Sequence, residues 1–350
     1  MMKTAVLTGI QAMDYREAPM PCIAHDYEVV LRVAAVGVCG SDVHYYASGR
    51  IGSQVVKYPF VVGHECSAVV EKVGQSVTRV RAGDRVAVEP AISCWTCDQC
   101  LQGRPHTCRN LRFLGCPGQA EGCLSEFIVM PEDCCYPIPP SMTFEQAAIS
   151  EPLSIGVYAV TLAEVMPGAR IGILGAGPIG LSVLIAAREA GAAAVYMTDR
   201  RDARTKVALA AGATWAGNPD REDVVGAIVS EEPLLLDVVV ECCGQQAAVD
   251  QAAALLKPGG KLMMVGIPEA DRISLPIDVV RRKEICFQNV RRQNHCLQAA
   301  LNLIASGRVN MDFMVTHRFS FSETHEAFAL VHEYGDGVVK AMVSIRDGNS

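Results

Sequence analysis

The sequence has no block of basic residues. Its 350 residues carry 31 Lys and Arg against 38 Asp and Glu, a formal charge of −7. A polyanion is held by clustered positive charge, so nucleic acid is not expected as a partner. A long uninterrupted apolar run is lacking too. The most apolar stretch, 171–187, is broken by glycines and a proline, which argues against a membrane span. The apolar run after Met1-Met2-Lys3 is too short for a secretory signal. Internal repeats and low-complexity segments are also missing. Together these point to a cytoplasmic globular protein, long enough for two domains with well-buried cores.

Cysteine, by contrast, is abundant, with 15 residues. An odd number without an export signal speaks for a reducing compartment and for metal or thiol roles rather than a disulfide framework. Four of them form Cys94-x2-Cys97-x2-Cys100-x7-Cys108. Four thiolates this close can close a tetrahedral shell around Zn²⁺ with no open position, holding a lobe (about 90–110) that has little core of its own. An iron–sulfur centre uses the same ligands, and spacing alone does not separate the two.

The texture of the chain changes near residue 154. Before it the sequence reads as β-rich, with strands expected at 29–33, 66–73 and 85–88, punctuated by Gly74 and Gly83-Asp84. After it, strands and helices alternate. An apolar run at 171–174 enters Gly175-Ala176-Gly177-Pro178-Ile179-Gly180, followed by an Ala/Leu-rich helix and a strand at 194–198 that closes on Asp199. Gly175 allows the sharp turn, Gly177 the approach of a pyrophosphate, and Gly180 close packing of helix on strand. Asp199 stands where an acid can accept the hydroxyls of an adenosine ribose. Further apolar runs at 236–240 and 261–265 have the length of buried parallel strands, with a helix at 245–256 between them. Pro258-Gly259-Gly260 is expected to break the chain before the second. From about 289 the alternation stops, and a helix at 295–306 precedes a mixed tail.

Cys39, His64-Glu65 and Glu151 are scattered, but their residue types suit a catalytic zinc with three protein ligands and an open position. Spacing does not unite them, and a lone Cys39 is as compatible with core packing. The motifs Cys39-Gly40-Ser41-Asp42-Val43-His44, Gly63-His64-Glu65, the four-cysteine lobe, Glu151-Pro152-Leu153-Ser154 and Gly175–Gly180 occur in the order seen in zinc-dependent medium-chain dehydrogenases. The chain resembles the sorbitol (L-iditol, xylitol) branch of that superfamily essentially end to end. Arg50-Ile51-Gly52 and the Glu151 motif point to polyols rather than ethanol, since ethanol-type enzymes have cysteine where Glu151 falls.

That resemblance implies an α/β fold: a Rossmann doubly wound parallel sheet (154–288) inserted in a β-rich GroES-like catalytic domain (1–153 and the returning tail 289–350). It implies a catalytic zinc on Cys39 and His64, with Glu65 and Glu151 competing for the third protein position, and a structural zinc on Cys94, Cys97, Cys100 and Cys108. Ser41 and His44 match proton-relay positions. Gly175, Gly177, Pro178, Ile179, Gly180, Asp199, Arg204, Val265 and Gly266 match the NAD site. Asp199 favours NAD over NADP because its carboxylate would face a 2′-phosphate, while Arg200 and Arg201 could serve one. Ser41, Tyr45, Leu114, Glu151 and Arg291 correspond to substrate positions, with Arg291 also near cofactor. Leu114 replaces an aromatic and Arg292 a tyrosine of relatives. Strand alternation would then turn Arg291 inward and Arg292 outward.

The implied activity is NAD-dependent oxidation of a polyol to a ketose by a homodimer or homotetramer. Two other readings stay open: a dehydrogenase of another alcohol (threonine or galactitol-phosphate type), and a non-catalytic dinucleotide-binding protein with structural zinc only.

Overall fold

The structure, a computed structural model, describes residues 1–268 and 270–345. The chain forms two compact units. One is built from Met1–Glu151 with the segment from Ala300 onward, the other from Pro152–Ala299.

The first unit is organised on the long strand Glu28–Gly37. It pairs antiparallel with Glu65–Val73, Phe127–Pro131 and Lys340–Ser344, within a seven-stranded sheet. Val29, Leu31, Val33 and Val36 are buried in the unit's main core. The last strand of the chain thus sits directly beside one of the first. Where Glu28–Gly37 ends, the helix Gly40–Ser48 begins with Cys39 at its N-cap and stops at Gly49, whose φ of 67° is left-handed. In the neighbouring strand Glu65 lies opposite Gly37. Register therefore brings Cys39 and the His64-Glu65 pair to the same end of the sheet. Gly37 is required there, because a Cβ on it would lie 2.3 Å from Glu65 Oε2.

The second unit is a six-stranded parallel sheet in the order Trp215–Gly217, Ala194–Thr198, Arg170–Leu174, Leu236–Glu241, Leu256–Met264, Cys286–Asn289. The first of these in sequence, Arg170–Leu174, lies in the middle. The chain builds outward from it on one side and then returns to build on the other. The order reverses between Arg170–Leu174 and Leu236–Glu241, and parallel sheets of this kind take ligands outside the carboxyl ends of the strands at that point. The central strands read as continuous apolar runs because both of their faces are covered.

Two expected boundaries shift. The strand Leu256–Met264 runs through Pro258-Gly259-Gly260 instead of starting after it. Leu256 pairs with Leu236 and Lys261 with Val238, so the intervening residues loop out of register. The helix expected at 295–306 is Leu297–Ala305, preceded by His295 with a left-handed φ of 56°.

Gly180 should be the least replaceable residue of the second unit. A Cβ there would stand 1.8 Å from the Gly175 carbonyl oxygen. Gly180→Ala is expected to lower unfolding free energy by about 1–3 kcal/mol through overpacking. Urea unfolding checks this; an unchanged midpoint would refute the packing argument.

Candidate functional site

In the first unit the ligand atoms of Cys39, His64 and Glu65 lie within 4.8 Å of one another. His64 is buried, and its Nδ1 lies 3.1 Å from Asp42 Oδ1, to which it donates. That bond leaves Nε2 as the lone-pair nitrogen, the arrangement a metal-binding histidine needs. Asp42 is itself fully buried and accepts from the backbone N–H groups of Gly63 (3.1 Å) and Cys39 (3.4 Å). One carboxylate thus orients the histidine and ties the loops carrying two donors. Burial opposes charge on His64, but Asp42 and Cys39 prevail and hold its pKa well above the usual value. The pocket is built to receive positive charge.

Glu65 is 1% exposed and already engaged. Lys340, also 1% exposed, donates to both of its carboxylate oxygens at 2.7 Å and to the Val38 carbonyl at 3.1 Å. Glu151 lies outside the close group of three but is buried, and feels His64, Glu65, Glu89 and Lys340. Burial above all, with Glu65 and Glu89 adding, pushes its pKa up to about 8 against the pull of His64 and Lys340. Ser41 is half-buried and donates to Cys39 Sγ at 3.3 Å. His44 is half-buried one helical turn further on. Donor set and second layer suit Zn²⁺ with an open position.

The four lobe cysteines also converge, their sulfurs within 4.8 Å of one another. Cys97 Sγ lies 3.7 Å from Cys100 Sγ and 3.9 Å from Cys108 Sγ. Zn–S bonds of about 2.3 Å place the sulfurs of a tetrahedron about 3.8 Å apart, so the spacing fits zinc. Thr96 and backbone N–H groups lower the Cys94 thiol to about 5, while burial raises Cys100 to about 12.

In the second unit Gly175 turns with φ of 106°, and the helix Pro178–Glu189 starts with Gly177 at its N-cap and Pro178 at its first position. Gly177, Pro178 and Ile179 are partly exposed while Gly180 is buried, so the open side of the turn carries free N–H groups. Asp199 accepts from the N–H groups of Ala176 and Arg201, each at 2.8 Å. Arg204 lies against the turn, its Nη1 3.4 Å from where a Cβ on Gly177 would be. Arg200 is paired with Asp220 at 2.8 Å. Val265 and Gly266 are half-buried and donate their N–H groups to the Glu241 carbonyl.

Three of the residues expected at the substrate are placed as follows. Leu114 is buried in the core and borders a separate cleft of about 600 Å³, lined also by Phe60, Ile92, Arg112 and Phe127, which none of the metal-site residues borders. It is Phe113 that lies against His64, with ring centroids 5.2 Å apart. Tyr45 is buried, and its hydroxyl donates to Gln54 Oε1 at 3.0 Å. Arg291 is exposed and Arg292 half-buried, the reverse of the expected arrangement. The strand ends at Asn289 and Arg292 has a left-handed φ of 54°, so strand alternation does not apply to them. Asp42, Lys340 and Phe113 were not singled out from the sequence. Lys340 has one visible signal, a lone charge inside the run Val338-Val339-Lys340-Ala341-Met342-Val343.

Two family models match the chain: "Alcohol dehydrogenase GroES-like domain" over residues 25–140 and "Zinc-binding dehydrogenase" over residues 178–306. The chain is 36% identical to the sorbitol dehydrogenase of Bacillus subtilis (strain 168) over 343 residues, covering 98% of this chain and 97% of that one. It is 35% identical over 329 residues to the D-xylulose reductase A of Aspergillus oryzae, covering 92% and 91%. Among solved structures, a candidate zinc-binding dehydrogenase from Sinorhizobium meliloti 1021, bound to NADP, superposes with a TM-score of 0.89 at 29% identity, covering 98% and 99%.

Replacing Cys94 by Ser should lower bound zinc from two to one per chain and depress the melting temperature, since the lobe depends on metal for its order. Full metal content and an unchanged melting curve would rule out the lobe assignment. Lys340→Met leaves Glu65 buried without a partner and should cost about 3–5 kcal/mol of stability. Equal urea midpoints for variant and parent would show that the pair does not matter to the fold.

Proposed function

Since the chain belongs to the zinc-binding alcohol dehydrogenase family, we propose that it oxidises a secondary alcohol of a polyol, of the sorbitol, xylitol or L-iditol type, to the ketose with NAD. The observation that carries this reading is the buried group of Cys39, His64 and Glu65, with Asp42 holding His64 in the metal-binding tautomer. A mere nucleotide binder has no use for such a group. Both polyol-acting relatives are similar over almost the whole chain, which favours a polyol over ethanol-like substrates.

When bound, zinc supplies Lewis acidity that makes loss of the hydroxyl proton easy at neutral pH, and NAD supplies the hydride acceptor. The rest falls to the chain. Cys39 and His64 hold the metal with a carboxylate from Glu65 or Glu151, and the lobe cysteines hold a second zinc. Asp42 keeps the His64 ring in place. Ser41, beside the Cys39 sulfur, takes up the released proton, and His44 on the same helix passes it outward. The turn from Gly175 to Gly180 presents N–H groups to the pyrophosphate. Asp199 accepts the ribose hydroxyls, with Arg204 alongside. Arg200, engaged by Asp220, is poorly placed to serve a 2′-phosphate, which favours NAD over NADP. The unit of Met1–Glu151 and the segment from Ala300 onward serves as the catalytic domain and Pro152–Ala299 as the nucleotide domain, in a cytoplasmic homodimer or homotetramer.

Steady-state assays of sorbitol, xylitol and L-iditol with NAD and NADP test the reading. The expected result is polyol turnover with NAD preferred, the preference narrowing in Asp199→Ala as ribose bonds are lost and phosphate repulsion is relieved. Better turnover of a phosphorylated or acidic alcohol would overturn the substrate assignment, and equal efficiency with both cofactors would overturn that of NAD.

A further inference from the structure

The cleft of about 600 Å³ that Leu114 borders lies wholly within the first unit, and neither the metal group nor the glycine-rich turn touches it. Its volume is that of a small-molecule site. The strand Phe127–Pro131 alternates half-buried and buried residues, and its half-buried Phe127 and Val129 line the cleft together with the half-buried Ile92. The buried Val6, Phe60 and Leu114 line it too. Apolar side chains left partly open to water in a concavity gain by being covered.

Gln119 also lines the cleft, and its Oε1 is buried with no hydrogen-bond partner among the described residues. Its backbone N–H donates to the Cys116 carbonyl at 3.0 Å, which holds the residue in its turn. A buried amide oxygen is costly unless a donor reaches it. A hydroxyl suits the position, because it can donate to the amide oxygen or, with the amide turned over, accept from its nitrogen. The charged residues that border the cleft are the exposed Arg16, Arg112, Glu17 and Glu121, two of each sign, so neither charge on a ligand is favoured. Arg16 lies 4.0 Å from Asp14, and Glu121 accepts from the Val61 N–H at 2.8 Å. Arg112 and Leu114 flank Phe113, which lies against His64, and Phe60-Val61 runs on into Val62-Gly63-His64. An occupant of the cleft would rest against both segments that bring this ring pair together.

We propose that this cleft is a further binding site, for an uncharged molecule with an apolar body and one hydroxyl. The hydroxyl meets the Gln119 amide, and the body covers Phe127, Val129 and Ile92. The apolar part supplies the driving force, roughly in proportion to the area it covers, and the hydroxyl supplies orientation. Such a ligand differs in chemistry from the polyol proposed for the metal site, whose many hydroxyls would lose their water against an apolar wall.

Titration of the full-length, zinc-loaded protein with para-propylphenol, followed through the methyl resonances of its methionines, tests this. Met130 lines the cleft and Met263 belongs to the other unit, so the first resonance should move and the second stay. The expected result is a saturable shift of Met130, with an affinity about tenfold weaker for propylbenzene, which lacks only the hydroxyl. Gln119→Leu should weaken para-propylphenol by about the same factor and leave propylbenzene nearly unchanged. Equal affinity of the parent for phenol and hydrocarbon would overturn the proposal, as would equal affinity of parent and Gln119→Leu for the phenol, which would place it elsewhere. An unmoved Met130 would overturn it as well, whether the cleft holds only water or is covered by a second copy of the chain. Should Gln119→Leu not fold, the phenol and the hydrocarbon compared on the parent decide alone.

Discussion

A lysine ammonium and a glutamate carboxylate, each 1% exposed, cannot stay in a β-sheet interior unless each neutralises the other. Lys340 and Glu65 meet that condition with two 2.7 Å contacts, and much of the first unit follows from it. Lys340 belongs to the last strand and Glu65 to the first residue of a strand near the start of the chain. The pair therefore pins the end of the sequence against the loop that carries His64. It also explains why Gly37 stands opposite Glu65, where any side chain would strike the carboxylate.

The same pocket gathers ligating and acidic side chains. Cys39, Asp42, Glu65 and Glu151 lie in or beside it, with burial pushing the Glu151 carboxyl up to about 8, and Lys340 supplies the one buried ammonium among the described residues. Strongly perturbed groups of this kind are characteristic of sites that bind or transform something, because a fold gains nothing from them by itself. The donor set of Cys39, His64 and Glu65 is one that zinc takes. The lobe works differently. Its sulfurs lie at the spacing zinc–thiolate bonds require, in a segment with short elements and exposed Trp95 and Leu101, where a bound ion would substitute for a core.

Much of this was legible in the residues themselves. The strand, Gly175–Gly180 turn, helix, strand and Asp199 follow one another so closely that local rules determine their geometry. Cys94 to Cys108 is equally local. Cys39, His64 and Glu65 needed the sheet register to meet, and only the resemblance to a family joined them beforehand. Lys340 reaches its partner across 275 residues, a distance over which sequence pattern is silent. Phe113 and Leu114 illustrate another limit. Which of two neighbours faces His64 depends on how the chain leaves the two-residue strand Arg112–Phe113, and composition does not reveal it. Arg291 and Arg292 show a related limit: alternation is a property of strands, and the strand stops at Asn289.

In the proposed nucleotide site, the geometry of Asp199 bears on how quickly a ligand would be recognised. Each of its carboxylate oxygens already accepts one backbone N–H, from Ala176 on one side and Arg201 on the other. A carboxylate has about four lone-pair positions, so accepting these two still leaves room for a ligand's hydroxyls. The side chain is held in one rotamer before anything arrives. Association then requires little search by this residue and sacrifices little of its freedom, the condition under which a contact adds most to affinity. On the reading proposed above, the glycine loop and its acid would act as one preformed jaw, with the adjustment left to the nucleotide.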